Sequence, residues 1–453
     1  MEFSQLGSLN FRHIIFRGKR YDRNTVNGAI DHMARHLRSN IRSTSPFILL
    51  TAYNHIKTLI AYYAILRTGK IAAILDPEWK SMEASEIIED IEPAAIIYLN
   101  TETTGFKYDE EIVFRKANKA FIISSDLADV CTLAYTNAED GYSKGAMLTE
   151  KNLLAEINAL ICTNRLTKNS VTFALLPFSH LFGLVQGILV PTHAGSTGII
   201  SEFNILKINE LLTEIKQNKA THIYTVPAFY YILSKVPEIN EYIGSVKEFY
   251  SGGTKLAPLV FNNFFKKTKK KIREGYGLTE SSPGVALNYL EEGPKIDSIG
   301  IPLPGCNIKI LNDNNIECPA DSIGKICVKG DMVFKGYFNK EATTRETLKN
   351  GWLYTGDLGK IDKDGFIYFC GLKKNMINVA GNKIYPKKLE RLLKQNPNVI
   401  DVKVYSEESI LQGQIVHAEV KMKNSSIAAQ NDFKEWCFKN ITNVSLPKVW
   451  NFE

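Results

Sequence analysis

Short apolar runs alternating with amphipathic stretches restrict the fold of this chain more than any other feature. Asn24 to Leu37 has helical periodicity, Pro46-Phe47-Ile48-Leu49-Leu50 is a run of buried-strand type, and His55 to Thr68 is helical again. Lys70 to Pro77 reads as strand then turn, and Ala94 to Leu99 as a further strand. Strand runs with no polar face need cover on both sides, and intervening helices supply it as βαβ crossovers. The pattern predicts an α/β fold with a mostly parallel sheet and with ligand sites at the strand ends. At 453 residues there is room for two or three domains.

The charge and cysteine pattern narrows the partners. A net charge of +7 is modest for this length and suits a small anionic ligand such as a nucleotide or CoA. The densest basic run, Lys266 to Lys271, has no interleaved aromatic residue, so it reads as a solvated helix end and no nucleic-acid partner is expected. Seven cysteines without a CxxC pair point to reduced thiols, hence a cytoplasmic protein, rather than to disulfides or zinc. Met1-Glu2-Phe3-Ser4 lacks the basic start and apolar core of a signal peptide. The most apolar window, Val171 to Val190, contains Pro177, His180 and Gln186, which predicts buried core and no transmembrane segment.

Several segments carry side chains suited to chemistry. From Leu133 to Thr149 a strand leads into a loop with Lys144 between Gly141 and Gly145, and Thr149 can cap a helix starting near Glu150. A lysine in such a loop is a phosphate candidate, although GxxxxGK[ST] is absent. His180 lies in the apolar run Leu175 to Gly183, where a satisfied core histidine is the plain alternative. Tyr250-Ser251-Gly252-Gly253-Thr254 follows a strand, and its glycines let backbone approach a flat ligand; a tight turn without a ligand is the alternative. In Gly275 to Pro283, Tyr276 offers a stacking face beside Gly277, Thr279 a hydroxyl for a phosphate oxygen, and Glu280 a hard oxygen ligand for Mg²⁺. Lys349 to Pro386 holds a Thr355-Gly356-Asp357 turn, a hairpin at Asp364-Gly365, then Gly371 and a basic segment before a helix at Pro386. Asp357 on a turn can accept from the vicinal hydroxyls of a ribose, or satisfy its own backbone.

Taken together, KGAMLT from Lys144, LPFSHLFG from Leu175, the Ser251-Gly252-Gly253 turn, YGLTE from Tyr276, SIGIPLPG from Ser298 and the TGD ending at Asp357 resemble the superfamily of adenylate-forming (AMP-binding) enzymes. The likeness is strongest to its fatty acyl-CoA synthetases and runs from about Asn24 to Glu453. It implies a large multi-layer domain of sheets and helices over 1–370 and a small mobile α+β domain over 371–453. It also implies ATP or AMP, Mg²⁺, a carboxylic acid, and CoA or an acyl carrier protein bearing phosphopantetheine. Thr279, Glu280 and Lys144 take the catalytic places, with Glu280 on the metal. Ser251, Gly252, Gly253, Tyr276, Gly277, Asp357 and Lys374 take the nucleotide, and His180 and Gly183 the acyl pocket. Gly381 would let the pantetheine arm pass.

The chain departs from that pattern in three places. Asn137-Ala138-Glu139-Asp140 replaces small hydroxyl and glycine residues around the terminal phosphates. Two like charges ~4 Å apart at an effective dielectric of ~20 repel by about 4 kcal/mol, so these carboxylates oppose a triphosphate unless Mg²⁺ lies between. Leu372 replaces an arginine at the hinge, and the sequence stops at Glu453, ahead of the family's adenylating lysine. Two functions stay open: an AMP-forming ligase passing a fatty or other apolar acid to CoA or a carrier thiol, or a degenerate acyl- or nucleotide-binding homologue. An enzyme using a preformed acyl-adenylate or acyl-thioester lies between them.

Overall fold

The computed structural model describes residues 3, 5–79, 81–102, 111–115, 125–136, 143–201, 207–290, 293–372, 377–379, 382–409 and 413–453. The expected alternation produces two sheets with parallel centres. In one of seven strands, Val130–Thr136, Ile71–Leu75, Phe47–Thr51 and Ala95–Ile97 run parallel, flanked by antiparallel Ile112–Phe114 at one edge and by antiparallel Lys144–Thr149 and then the edge strand Gly336–Tyr337 at the other. In the other, of nine, the parallel centre runs from Ile272–Gly277 through Glu248–Ser251, His222–Thr225, Val171–Ala174 and Thr197–Ile200 to His13–Phe16.

The helix Ile56–Arg67 joins the layers. Every residue from Ile56 to Leu66 is buried, including Lys57, whose ammonium pairs with the buried carboxylate of Glu111. Tyr62 hydrogen-bonds the Thr132 hydroxyl at 2.7 Å and Tyr63 that of Thr192 at 2.5 Å, so its two phenols are satisfied on different elements. An exposed helix would be polar on one side; this one is apolar all round because it is covered all round.

A third sheet is antiparallel: Cys306–Leu311, Gly324–Gly330, Trp352–Ile361 and Leu348–Lys349, with Ile367–Leu372 also paired to Trp352–Ile361. The hairpin expected at Asp364-Gly365 is present, the Asp362 carboxylate accepting from the Asp364 and Phe366 N–H groups. The Thr355-Gly356-Asp357 turn is not. Those residues lie inside the strand Trp352–Ile361, with Gly356 at φ +82° letting the strand twist without ending. The ladder to Gly324–Gly330 steps there from Tyr354 to Leu358, so Thr355 to Asp357 form a bulge that takes up the glycine while the strand continues. Lys144 and Gly145 are likewise not loop residues: they begin the strand Lys144–Thr149, paired to Val130–Thr136 and to Gly336–Tyr337. Thr149 caps the helix Glu150–Thr163 as expected, in a reciprocal capping box with Asn152.

Residues 377–452 form a further sheet with its own apolar cluster, from Ile377 and Leu389 to Phe433 and Leu446. It contacts the rest of the chain through helix Pro386–Leu393: Arg391 donates to Glu86 at 2.7 Å, and buried Lys388 donates to the Ser143 hydroxyl at 3.0 Å. No helix among the described residues is long and apolar enough to cross a membrane.

Candidate active site

A cavity of about 1300 Å³ opens where the parallel strands of both large sheets end. Lys144, His180, Gly183, Ser251, Gly252, Gly253, Tyr276, Gly277, Thr279 and Glu280 all line it, so residues chosen from separate segments meet in one space. Residues 384–385 and 444–445 of the C-terminal sheet region complete the wall. Lys374, Gly381 and the loop 137–142 with Glu139 and Asp140 lie outside the described residues, and of Leu372 only the backbone is described, paired with Asp357.

The His180 segment is clipped in place by one side chain. Asn54, just past the strand Phe47–Thr51, donates its amide to the Leu176 carbonyl at 2.8 Å and accepts from the Phe178 N–H at 2.8 Å. Asp76, just past Ile71–Leu75, accepts from the Ser179 hydroxyl at 3.0 Å, and His180 Nε2 stands 3.9 Å from the same oxygen. His180 itself is half-exposed to the cavity side of this clip, not a core histidine.

Tyr276 and Asp357 form a pair that the sequence does not announce. The Tyr276 hydroxyl donates to Asp357 Oδ2 at 2.6 Å across 81 positions, and Asp357 is only 3% exposed. Burial first, and the Asp357 charge second, push the Tyr276 phenol well above its usual range, so it stays a donor. Asp357 is therefore not on the cavity wall: Tyr276 and the strand residues Tyr354 to Gly356 line it instead. The next turn is held tightly. A Cβ at Gly277 would overlap the Pro283 carbonyl, so only glycine fits there, and the turn Thr279–Ser281 follows directly.

Glu280 Oε1 accepts from the Tyr337 hydroxyl at 2.7 Å, and Lys144 Nζ lies 5.3 Å from the centre of the same ring. Tyr337 thus orients the acid and lies against the cation, a role no motif assigned to it. Among the described residues there is no group of three or more His, Cys, Asp or Glu that could cage a metal. One oriented carboxylate fits a cation that takes most of its oxygens from phosphate and water, as Mg²⁺ does.

Other lining residues were also missed. Glu156 is fully buried and accepts from the Gly284 N–H at 2.9 Å; burial pushes its carboxyl well above the usual range. A signal existed, because Glu156 falls in the apolar stripe Leu153, Ile157, Leu160 of its helix, where an acid is out of place.

Residues 7–338 match the profile of a family described as AMP-binding enzyme. The chain is 31% identical over 328 residues to a long-chain-fatty-acid–CoA ligase of Escherichia coli, covering 72% of this chain and 58% of that ligase. A long-chain-fatty-acid–CoA ligase of Bacillus subtilis is 32% identical over 329 residues, with the same shares, 72% and 58%. The chain thus spans less than two thirds of the length of these relatives. Among solved structures, o-succinylbenzoate CoA synthetase of Bacillus subtilis superposes with a TM-score of 0.84 at 23% identity, over all of this chain and 94% of that one, which shows a shared fold.

Proposed function

The chain belongs to the AMP-binding enzyme family, and from that premise we propose that it is an AMP-forming acid–thiol ligase of the acyl-CoA synthetase type, acting on a fatty or other apolar-chain carboxylic acid. The observation that carries this reading is the meeting of Lys144, His180, Ser251, Tyr276, Thr279 and Glu280 on one cavity at the strand ends.

In the first step a carboxylate oxygen of the acid attacks the α-phosphorus of ATP, and pyrophosphate leaves with the electrons of the broken P–O bond. In the second a thiol sulfur attacks the acyl carbon, AMP leaves, and the thiol proton passes to solvent. The Lys144 ammonium and the Thr279 hydroxyl hold phosphate oxygens, where charge shifts during the first step. Tyr276 gives its ring to adenine, with the Ser251-Gly252-Gly253 backbone close by. Asp357 takes the ribose hydroxyls by exchanging its bond from Tyr276, and Lys374 adds a cation to the nucleotide. Mg²⁺, when bound at Glu280, supplies charge neutralisation on the triphosphate. His180 and Gly183 border the acyl chain, and the acceptor is CoA or a carrier-protein phosphopantetheine. The small C-terminal domain, from 371 onward, moves between the two steps. All seven cysteines are free thiols, which supports a reducing, cytoplasmic setting.

Exchange of labelled pyrophosphate into ATP across a panel of acids tests the proposal, run beside calorimetry with ATP and with AMP. Acid-dependent exchange that falls at least ten-fold in Glu280→Gln is expected. AMP binding with no exchange for any acid would overturn the ligase reading in favour of a nucleotide-binding homologue.

A further inference from the structure

The basic run Lys266 to Lys271 leads into the strand Ile272–Gly277 at the end of the nine-stranded sheet opposite the cavity, and other cations join it there. Arg12 directly precedes His13–Phe16, and Lys247 directly precedes Glu248–Ser251. Lys168 and Lys219 stand three positions ahead of Val171–Ala174 and His222–Thr225. These strands run parallel, together with Thr197–Ile200, so their entries share one edge of the sheet. In the three residues ahead of each strand every charged side chain is a cation, and only Thr197–Ile200 has none. At ~4.8 Å per strand, the row from Ile272–Gly277 to His13–Phe16 is roughly 24 Å wide.

The cations meet solvent with no acid opposing them. Arg12, Lys168, Lys219, Lys247, Lys269 and Lys271 are exposed, and none forms an ion pair with a described carboxylate. Glu241 and Glu248 are spent on Lys216 at 3.6 Å and on Arg273 at 2.7 Å. Lys270 lies along the edge, donating to the Val246 carbonyl at 3.1 Å. The whole chain carries only +7, so this edge holds an excess comparable with that of the entire molecule.

A cation after a helix complements the helix dipole, which explains a single lysine at such a junction. It does not explain the row. Arg12 follows no helix among the described residues. In the seven-stranded sheet, Phe47–Thr51, Ile71–Leu75 and Ala95–Ile97 do follow helices, yet the three residues ahead of each hold only Lys70 and Glu92 as charges, and Asp129 precedes Val130–Thr136. Lys219 and Lys269 also sit at φ +52° and +58°, in the left-handed region where a helix usually ends on glycine or asparagine. A cation is kept at both against the local preference.

Shape and charge select the partner. The cavity lies at the other end of these strands, and a row this wide matches an extended anionic surface rather than a small ion. Phe265 is 37% exposed beside Lys266, stacked on Phe261 with ring centres 6.2 Å apart, and adds an apolar contact. Lysines with an apolar side chain among them suit the headgroup layer of an anionic bilayer. A single-stranded nucleic acid would call for several aromatic faces among the cations.

We propose that this strand-entry edge, through Lys219, Lys247, Lys269 and Lys271, docks on an anionic phospholipid surface and leaves the cavity open to water on the far side.

The test is co-sedimentation of the full chain with vesicles of phosphatidylcholine alone and of phosphatidylcholine mixed with phosphatidylglycerol. At low salt the anionic vesicles are expected to bind at least ten-fold more tightly. That binding is expected to fall at least ten-fold at about 0.5 M NaCl, where charges are screened within a few ångströms. A variant combining Lys219→Asn, Lys247→Gln, Lys269→Asn and Lys271→Gln is expected to lose at least ten-fold in binding. Asparagine accepts the left-handed positions, so the melting temperature of this variant is expected to hold. Removing the same charge from the C-terminal region, by Lys403→Gln, Lys421→Gln, Lys423→Gln and Lys439→Gln, is expected to leave binding as it is. No preference for anionic vesicles, full binding by the first variant, or equal loss in both variants each overturn the proposal. A short DNA duplex that binds more tightly than the vesicles and displaces them also overturns it, and makes the edge a nucleic-acid contact. None of these readouts uses catalysis, so they stand or fall apart from the ligase reading.

Discussion

Glu274→Gln is a perturbation whose size can be worked from the structure. Glu274 is 4% exposed, three positions before Gly277 in the strand that carries Tyr276, and its Oε1 accepts from the Leu256 N–H at 2.7 Å. Burial pushes its carboxyl up to about 8 from 4.5, against the smaller pull of the Leu256 hydrogen bond and Lys255. The folded chain then holds the proton more tightly than the unfolded chain, so this group's contribution is full below pH 4.5 and is lost as pH rises towards 8. At 1.36 kcal/mol per pH unit, the loss by pH 8 is roughly 5 kcal/mol. That is a large share of the ~5–15 kcal/mol that holds a domain folded. Glutamine keeps the acceptor for Leu256 and cannot ionise, so the variant lacks this slope. Urea unfolding followed by tryptophan fluorescence at about pH 5, 7 and 9 measures it for both proteins. Stability of the natural chain should fall across that range by several kcal/mol more than that of Glu274→Gln. Glu156, raised in the same direction, is common to both and drops out of the difference. Parallel curves would refute the reasoning, and would mean that the Glu274 carboxylate is solvated or paired when it ionises.

Three further outcomes follow from the site. Asp357→Ala should weaken AMP binding by about 1.5–3 kcal/mol, the worth of a hydrogen bond to a charged group, measured by calorimetry; unchanged affinity in a protein that binds AMP would place the ribose elsewhere. Tyr337→Phe removes the hydroxyl that orients Glu280 and should raise the Mg²⁺ needed for half-maximal ATP binding by about ten-fold while leaving AMP binding alone; an unchanged Mg²⁺ requirement would take the metal away from Glu280. Glu139→Thr with Asp140→Thr should tighten ATP binding with little effect on AMP, since only ATP has terminal phosphates; equal ATP affinity would mean carboxylates in solvent, screened beyond ~8 Å.

Elements set by near neighbours along the chain are legible in the amino-acid sequence. Thr149 caps its helix because a side-chain oxygen three residues from a free N–H needs nothing else, and Asp364-Gly365 makes its hairpin for the same local reason. The strand and helix pattern from Asn24 to Leu99 is legible because periodicity records which faces are covered. The same local reasoning fails at Thr355-Gly356-Asp357 and at Lys144-Gly145. There, strands distant in sequence continue the chain as strand: a bulge opposite Gly324–Gly330 absorbs Thr355 to Asp357, and Val130–Thr136 pairs directly with Lys144 and Gly145.

For the site, sequence by itself determined which chemical groups were present: the Thr279 hydroxyl, the Glu280 carboxylate, the Lys144 ammonium and the Tyr276 ring. Only the tertiary structure decided what each faces. Asp357 lies behind Tyr276, whose hydroxyl reaches it from 81 positions away in the chain. Tyr337 meets both Glu280 and Lys144 because its short strand pairs with Lys144–Thr149. Hydrogen bonding and desolvation act over a few ångströms in space, and no spacing along a chain encodes such distances between elements that meet only on folding.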